Sequence, residues 1–353
     1  MIAPRHPRAV AAGELWHGST LQGLATGFRA LGWLVDEVDF NAYYPRAFSV
    51  AGKIASRLGA SLHRAAYNEA LLRQVERTGA TVVLTVKGNG ITPATLDTLR
   101  DRGVLSVNYY PDVEFAEGGI GIDAIARYAA VATTKSFQVD ALVDLLGAER
   151  VELVQHGFVP AVHRPIGVPQ DEAGFEVDIQ YIGNPSRYKF EWLLHLAHAF
   201  PERSIRVIGN DWRRLSVGTV LEKSTYPYPL TGDLYAAAIG GARINVALHS
   251  GVVASSQWSD LVSTRTFEIP ACGGFMLHID NAEVRTLFGV GEEIDSFSSP
   301  EQLVERTRHH LDRADERRVM AARGQARAWR DHSIDARAQS IEALIRRVDL
   351  PPR

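Results

Sequence analysis

Residues 243–277 read RINVALHSGVVASSQWSDLVSTRTFEIPACGGFML. An apolar run of strand length, Ile244–Leu248, is followed by a long loop, then by a helix carrying Glu268 on its first turns. Gly273-Gly274 turns the chain into a second apolar strand, Gly274–His278. Strand, loop, helix, strand in that order is the repeating unit of a parallel sheet. It sets Arg265 and Glu268 at the carboxyl end of the sheet. Open α/β sheets bind nucleotides in that crevice, with anionic groups on helix N-termini.

The same alternation extends outward in both directions. Upstream, Val177, Ile179 and Tyr181 share one strand face, and Gly183-Asn184-Pro185-Ser186 opens a helix with the stripe Phe190, Leu193, Leu194, Ala197, Phe200. A strand Ser204–Ile208 follows. The first half repeats the scheme. Gly18-Ser19-Thr20 opens a helix with apolar Leu21, Leu24, Phe28 and Leu31, and strands are expected at Trp33–Val38, Thr81–Val86, Val104–Tyr110, Ala129–Thr133 and Val151–Gln155. The unbroken run Val82-Val83-Leu84 suits a strand buried on both faces. His156–Pro160 and the polar stretch to Gly174 read as a linker, and the Arg-rich end closes on a helical stripe, Ile334, Ala338, Ile341, Ile345 and Val348. The expectation is α/β: two Rossmann-like parallel-sheet domains facing a cleft, 1–160 and 161–333, with helix 334–353 packing back on the first.

Bulk properties exclude several classes. A chain of 353 residues, 46% apolar and 22% charged, has enough material for two packed cores. A net charge of −3 argues against a nucleic-acid partner held by charge. A single cysteine, Cys272, rules out an intrachain disulfide framework and fits a reducing compartment. No window approaches the roughly 18 to 20 apolar residues of a membrane span, and the basic start lacks an apolar signal core. The expected location is the cytoplasm, with at most peripheral membrane contact through the Arg-rich helices.

Over Ser263–Asp331, with TRTFEIPACGGFML and a helix pair ending in WRDHS, the chain resembles a GT-B glycosyltransferase of the CgeB-like, spore-maturation-type group (glycosyltransferase group 1). The likeness extends, more loosely, over HGFVPAVHRP, DIQYIGNPSRYKFEWL, WHGST and VLTVKGNGITPATLDTLR. It implies that the second domain holds a nucleotide-sugar donor and that the last helix crosses back onto the first.

The resemblance implies that Glu268 accepts hydrogen bonds from the donor ribose hydroxyls. A carboxylate suits this, being acceptor-only with two oxygens. A capping-box role is disfavoured because Arg265, not Ser or Thr, stands three residues before it. An acidic residue eight positions earlier in the family is Asp260 here, a shorter group at the donor sugar or phosphate and, with Asp112, a candidate catalytic residue. Arg265 with Thr266, and Arg187, Lys189 and Asn184 at the Gly183 turn, are candidates to hold the diphosphate, whose charge grows as the glycosidic bond breaks. Ordinary surface charge is the competing reading for Arg187 and Lys189. Asn245 and His249 flank a strand end and compete with a role as satisfied polar groups. Gly18 and Ser19 form a turn through which backbone approaches the same diphosphate.

Asp112, after strand VNYYPD, is the candidate group facing the acceptor, with Glu114 and Glu117 as rivals. A retaining enzyme would instead use the donor phosphate, leaving Asp112 to orient sugar hydroxyls; an ordinary Asp turn is the alternative. Gly119-Ile-Gly121 has dinucleotide-fingerprint spacing but follows a polar loop. His195 and His198 lack a third ligand, and no Asp-x-Asp occurs, so the expectation is no metal and no cofactor beyond the nucleotide-diphosphate sugar itself. The leading function is sugar transfer to a hydroxyl of a carbohydrate, glycolipid, protein or small molecule. A sugar-nucleotide epimerase and a non-catalytic nucleotide-binding scaffold are the alternatives.

Overall fold

A computed structural model describes residues 6–44, 59–115, 120–249 and 258–349. It divides into two compact units, Met1–Gln155 with Ile334–Arg353, and His156–Ser333. Glu117, Gly119 and part of the 243–277 stretch lie outside the described residues.

The first unit holds β1 (Arg8–Gly13), β2 (Leu34–Asp39), β3 (Val82–Val86), β4 (Leu105–Tyr110), β5 (Ala130–Thr133) and β6 (Val151–Leu153). All pairings are parallel, in the order β2-β1-β3-β4-β5-β6. The interior strand β1, RAVAAG, is Ala-rich and lacks the β-branched run that marks β3, so its sequence gives little strand signal. Helix starts are set by caps. Ser19 accepts from Gln22 N at the head of Thr20–Ala30, and Thr92 accepts from Thr95 N with Pro93 as first helical residue. The last helix, Ile334–Asp349, buries Ile334, Ala338, Ile341, Leu344 and Ile345. Gly27 of helix Thr20–Ala30 leaves no room for a Cβ beside Ala338, and Trp33 Nε1 donates to Glu342 Oε1 at 2.9 Å. At about 1.5–3 kcal/mol per large buried aliphatic side chain, that face ties the chain end firmly to this unit.

The second unit holds β7 (Val177–Ile182), β8 (Ile205–Ile208), β9 (Thr225–Tyr226), β10 (Ala242–Ala247), β11 (Met276–Ile279) and β12 (Asp295–Phe297), in the order β12-β11-β10-β7-β8-β9, again all parallel. β7 is buried along its whole length. The edge strands β9 and β12 have two and three residues, too few to show a period in sequence. In both sheets the chain winds outward from an inner pair: β1 and β3, next to the β2 edge, in the first, and β7 and β10, at the centre, in the second. At such a switch point the loops leaving the two strands run to opposite faces and open a crevice at the carboxyl edge. Among the described residues no helix is long and apolar enough to cross a membrane.

Candidate functional site

At the β7/β10 switch point the loop after β7, Gly183–Ser186, leads into helix Arg187–Ala199, capped by Ser186 accepting from Lys189 N. The segment after β10 ends at helix Thr264–Ala271. Arg265 on the first turn of that helix is half-buried. Its Nη2 donates to Leu248 O at 3.0 Å and its guanidinium lies 5.4 Å from the Tyr181 ring centre. The Arg265 Nε and the Tyr181 hydroxyl are both buried and have no hydrogen-bond partner. Two unmatched donors side by side at a switch point call for an acceptor, because each such group costs about 1–3 kcal/mol when left unpaired.

Lys189 is buried, and its Nζ donates to the carbonyl of Asn184 at 3.1 Å. Burial first, and then the Arg265 charge, push its ammonium down to about 7, with Asp260 pulling the other way. Asp260 acts on both cations and stands half-buried beside them. Glu268 sits one turn beyond Arg265. Its Oε2 accepts from Tyr235 Oη at 2.9 Å, and its Oε1 is 3.6 Å from His163 Nε2. His163 Nδ1 accepts from Val159 N at 3.0 Å, so a neutral His163 carries its proton on Nε2, toward the carboxylate. The Glu268 side chain is 14% exposed, turned inward rather than to bulk water. Each oxygen thus faces a protein donor and keeps lone pairs to spare.

Other expected residues are committed elsewhere. Arg187 is 81% exposed and pairs with Glu191 at 2.6 Å, an ordinary surface ion pair on its helix. The Asn184 side chain is exposed; its carbonyl is what meets Lys189. Asn245 lies mid-strand and fully buried, donating to Ile239 O at 3.1 Å and accepting from Gln180 Nε2 at 2.9 Å, so it serves the sheet and not the crevice. Thr266 and His249 join an internal chain. The Ser263 amide donates to Thr266 Oγ1 at 3.2 Å, which lies 2.9 Å from His278 Nε2, itself 3.1 Å from His249 Nε2. Burial pushes the His278 imidazole down to about 4, and its Nδ1 meets Ile279 O, so Nε2 accepts from both neighbours. The Thr266 hydroxyl therefore faces the fold, as a cap, and one His249 nitrogen is taken the same way.

The first unit has its own crevice at the β1/β3 switch point. A cavity of about 190 Å³ is lined by Gly13, Glu14, Trp16, Ser19, Lys87 and Asn89, among others. Ser19 Oγ caps its helix and the Gly18 amide donates to Gln22 Oε1 at 3.0 Å, so both are used locally. Lys87 has φ 66°, a left-handed backbone rare for a residue with a Cβ, and its Nζ lies 3.1 Å from Asp112 Oδ1. Glu114, the rival of Asp112, is buried. Lys87, Tyr181, Tyr235 and His163 were not singled out from sequence. Lys87 lies in the KGNG turn after β3, His163 in HGFVPAVHRP and Tyr181 in DIQYIGNPSRYKFEWL, stretches that carry the resemblance without marking these residues.

Residues 187–343 match a family described as glycosyl transferase-like. No curated protein matches the chain in sequence. Among solved structures, sucrose-phosphate synthase from Thermosynechococcus elongatus is similar at 15% identity over 98% of this chain and 99% of that one, with TM-score 0.67. Anabaena HepE, solved with UDP-glucose, is similar at 12% identity over 97% and 100%, TM-score 0.62. UDP-GlcNAc 2-epimerase from Neisseria meningitidis, bound to UDP-GlcNAc, follows at 9% identity over 96% and 99%, TM-score 0.56. The chain carries a glycosyltransferase-type region on the GT-B fold.

Proposed function

We propose that this protein transfers a sugar from a nucleoside-diphosphate donor to a hydroxyl acceptor, with retention, without a divalent ion in the transfer step and without a further cofactor. The reading places it in the CgeB-like group. The observation that carries it is the pair of unmatched buried donors, Arg265 Nε and Tyr181 Oη, beside the buried cation Lys189. Diphosphate oxygens satisfy all three. Glu268, oriented by Tyr235 and His163, takes the ribose hydroxyls, and Asp260 takes the sugar or phosphate side. As the C1–O bond to the diphosphate breaks, negative charge gathers on the leaving oxygen, and fixed cations stabilise it most in the transition state. The acceptor oxygen bonds to C1 on the same face and its proton passes to the leaving phosphate oxygen. Asp112 is then free to orient acceptor hydroxyls, its charge held by Lys87. The acceptor is a carbohydrate, glycolipid, protein or small molecule. The single, buried cysteine supports a cytoplasmic setting.

The test is a melting-shift screen against UDP, GDP, dTDP and CMP sugars. One donor class at a hundred times its Kd adds about 2.7 kcal/mol. A panel in which none raises the melting temperature overturns the reading. Release or transfer of the bound sugar without a C2 epimer distinguishes transfer from epimerisation.

Lys189 also gives a pH prediction. The unfolded chain holds this proton up to roughly pH 10.4, whereas the folded protein releases it near 7. Between these values the unfolded state binds more protons, so stability rises with pH; the burden of the buried charge is fully present below 7. Bound phosphates favour the ammonium, so donor binding above pH 7 takes up a proton. Affinity for UDP is expected to fall, by up to about tenfold per pH unit, between pH 7 and 9. Calorimetry in buffers of different ionisation enthalpy measures the proton directly. A Lys189→Met variant whose UDP affinity falls just as steeply as that of the parent would sink the assignment.

A further inference from the structure

The turn between helices Pro300–Asp312 and Ala314–Asp331 gathers His309, His310 and Glu316, whose ligating atoms lie within 4.8 Å of one another. Both Glu316 carboxylate oxygens are 3.1 Å from His309 Nε2. His310 is 1% exposed and packs against Phe275, with ring centres 4.4 Å apart. Its Nε2 is 2.7 Å from Asp295 Oδ2. Asp295 Oδ1 accepts from the Ser296 amide at 2.8 Å, so both carboxylate oxygens are held by donors. An ionised carboxylate only accepts, so His310 carries its proton on Nε2 and leaves a bare lone pair on Nδ1. That Nδ1 is buried and has no hydrogen-bond partner.

A carboxylate behind one imidazole nitrogen and an open lone pair on the other is the arrangement that orients a metal-bound histidine. Two imidazoles and one carboxylate suit zinc, whereas calcium and magnesium require mostly oxygen ligands. The place is separate from the donor site. Asp295 opens β12 and Phe275 precedes β11, at the amino edge of the second sheet, while Arg265 and Lys189 stand at the carboxyl edge. We propose that His309, His310 and Glu316 bind a zinc ion, with Asp295 orienting His310, and that the ion clips the two helices together. Helix Ala314–Asp331 in turn supports the helix of Glu268, through Trp329 Nε1 donating to Ala271 O at 3.0 Å.

The test uses the full chain, stripped with EDTA and desalted, and titrated with zinc chloride alone. One ion per chain with Kd below about 1 µM is expected, together with a higher melting temperature. His309 and Glu316 are partly exposed, so His309→Ala with Glu316→Gln is expected to leave the metal-free protein folded and to weaken zinc binding about a hundredfold or more. Asp295→Asn is expected to weaken it about 10- to 100-fold. Magnesium chloride gives no binding. Zinc bound as tightly by the double variant as by the parent, or no stoichiometric binding by the parent, overturns the proposal.

Discussion

Replacing Glu268 by Ala is expected to remove nucleotide-sugar binding. Its carboxylate has two oxygens, one accepting from Tyr235 Oη at 2.9 Å and the other 3.6 Å from His163 Nε2. Two ribose hydroxyls donating to it form charge-assisted hydrogen bonds worth about 1.5–3 kcal/mol each, so their loss weakens affinity by roughly 10²- to 10⁴-fold. The substitution also leaves the buried Tyr235 hydroxyl unpaired, at about 1–3 kcal/mol, so affinity is measured by calorimetry well below the variant's own melting point. Glu268→Gln separates the two effects. It keeps the shape and still accepts from Tyr235, but its amide turns a donor toward His163 and one ribose hydroxyl loses its acceptor. Melting close to the parent with affinity weakened by roughly 10- to 100-fold is the expected result. A Gln variant that binds the donor within a few-fold of the parent would remove ribose recognition from this residue.

How far the site could be read from the chain depends on the kind of contact involved. Strand and helix order is local, so the sequence alone sets Arg265 and Glu268 at the carboxyl edge of the second sheet. The apolar stripe from Ile334 to Ile345 marked the last helix in the same way. Direction around a helix is less legible. Arg187 and Lys189 are two residues apart and point to different sides, one into solvent with Glu191 and one inward to the Asn184 carbonyl. Their shared charge gave no means of choosing between them. Polar groups buried by distant partners were hidden altogether. Asn245 answers to Gln180 on the neighbouring strand, and Thr266 on its helix to His278 on β11, contacts that no spacing rule connects. Tyr235 and His163 reach Glu268 from two other segments, and His310 gains its meaning only when Asp295 is placed behind it. Chemistry assembled within one element was visible. Chemistry assembled between elements was not.

Gly209 and Gly183, at the ends of β8 and β7, are expected to fail in different ways when changed to Ala. Both have φ near +152°, a region that side chains rarely adopt. A Cβ on Gly209 would lie 2.2 Å from Gly183 O and 2.7 Å from its carbonyl carbon. Those atoms are main chain and are pinned, since Gly183 N donates to Ile208 O at 2.8 Å and Trp212 Nε1 donates to Gly183 O at 2.7 Å. Nothing flexible can move aside. Overpacking of this kind costs about 1–3 kcal/mol, occasionally more, and the backbone strain adds about 1. Gly209→Ala should therefore lose about 3 kcal/mol, or roughly 6–12 °C in melting temperature. A Cβ on Gly183 instead meets the tips of two side chains, Arg265 Nη1 at 2.5 Å and Tyr181 Oη at 2.9 Å. These can shift, so the fold survives with a smaller loss, but Arg265 and Tyr181, the donors proposed for the diphosphate, are displaced. Gly183→Ala is expected to melt well above Gly209→Ala while binding UDP at least about tenfold more weakly than the parent. Parental affinity in a folded Gly183→Ala variant would show that Arg265 and Tyr181 do not hold the donor.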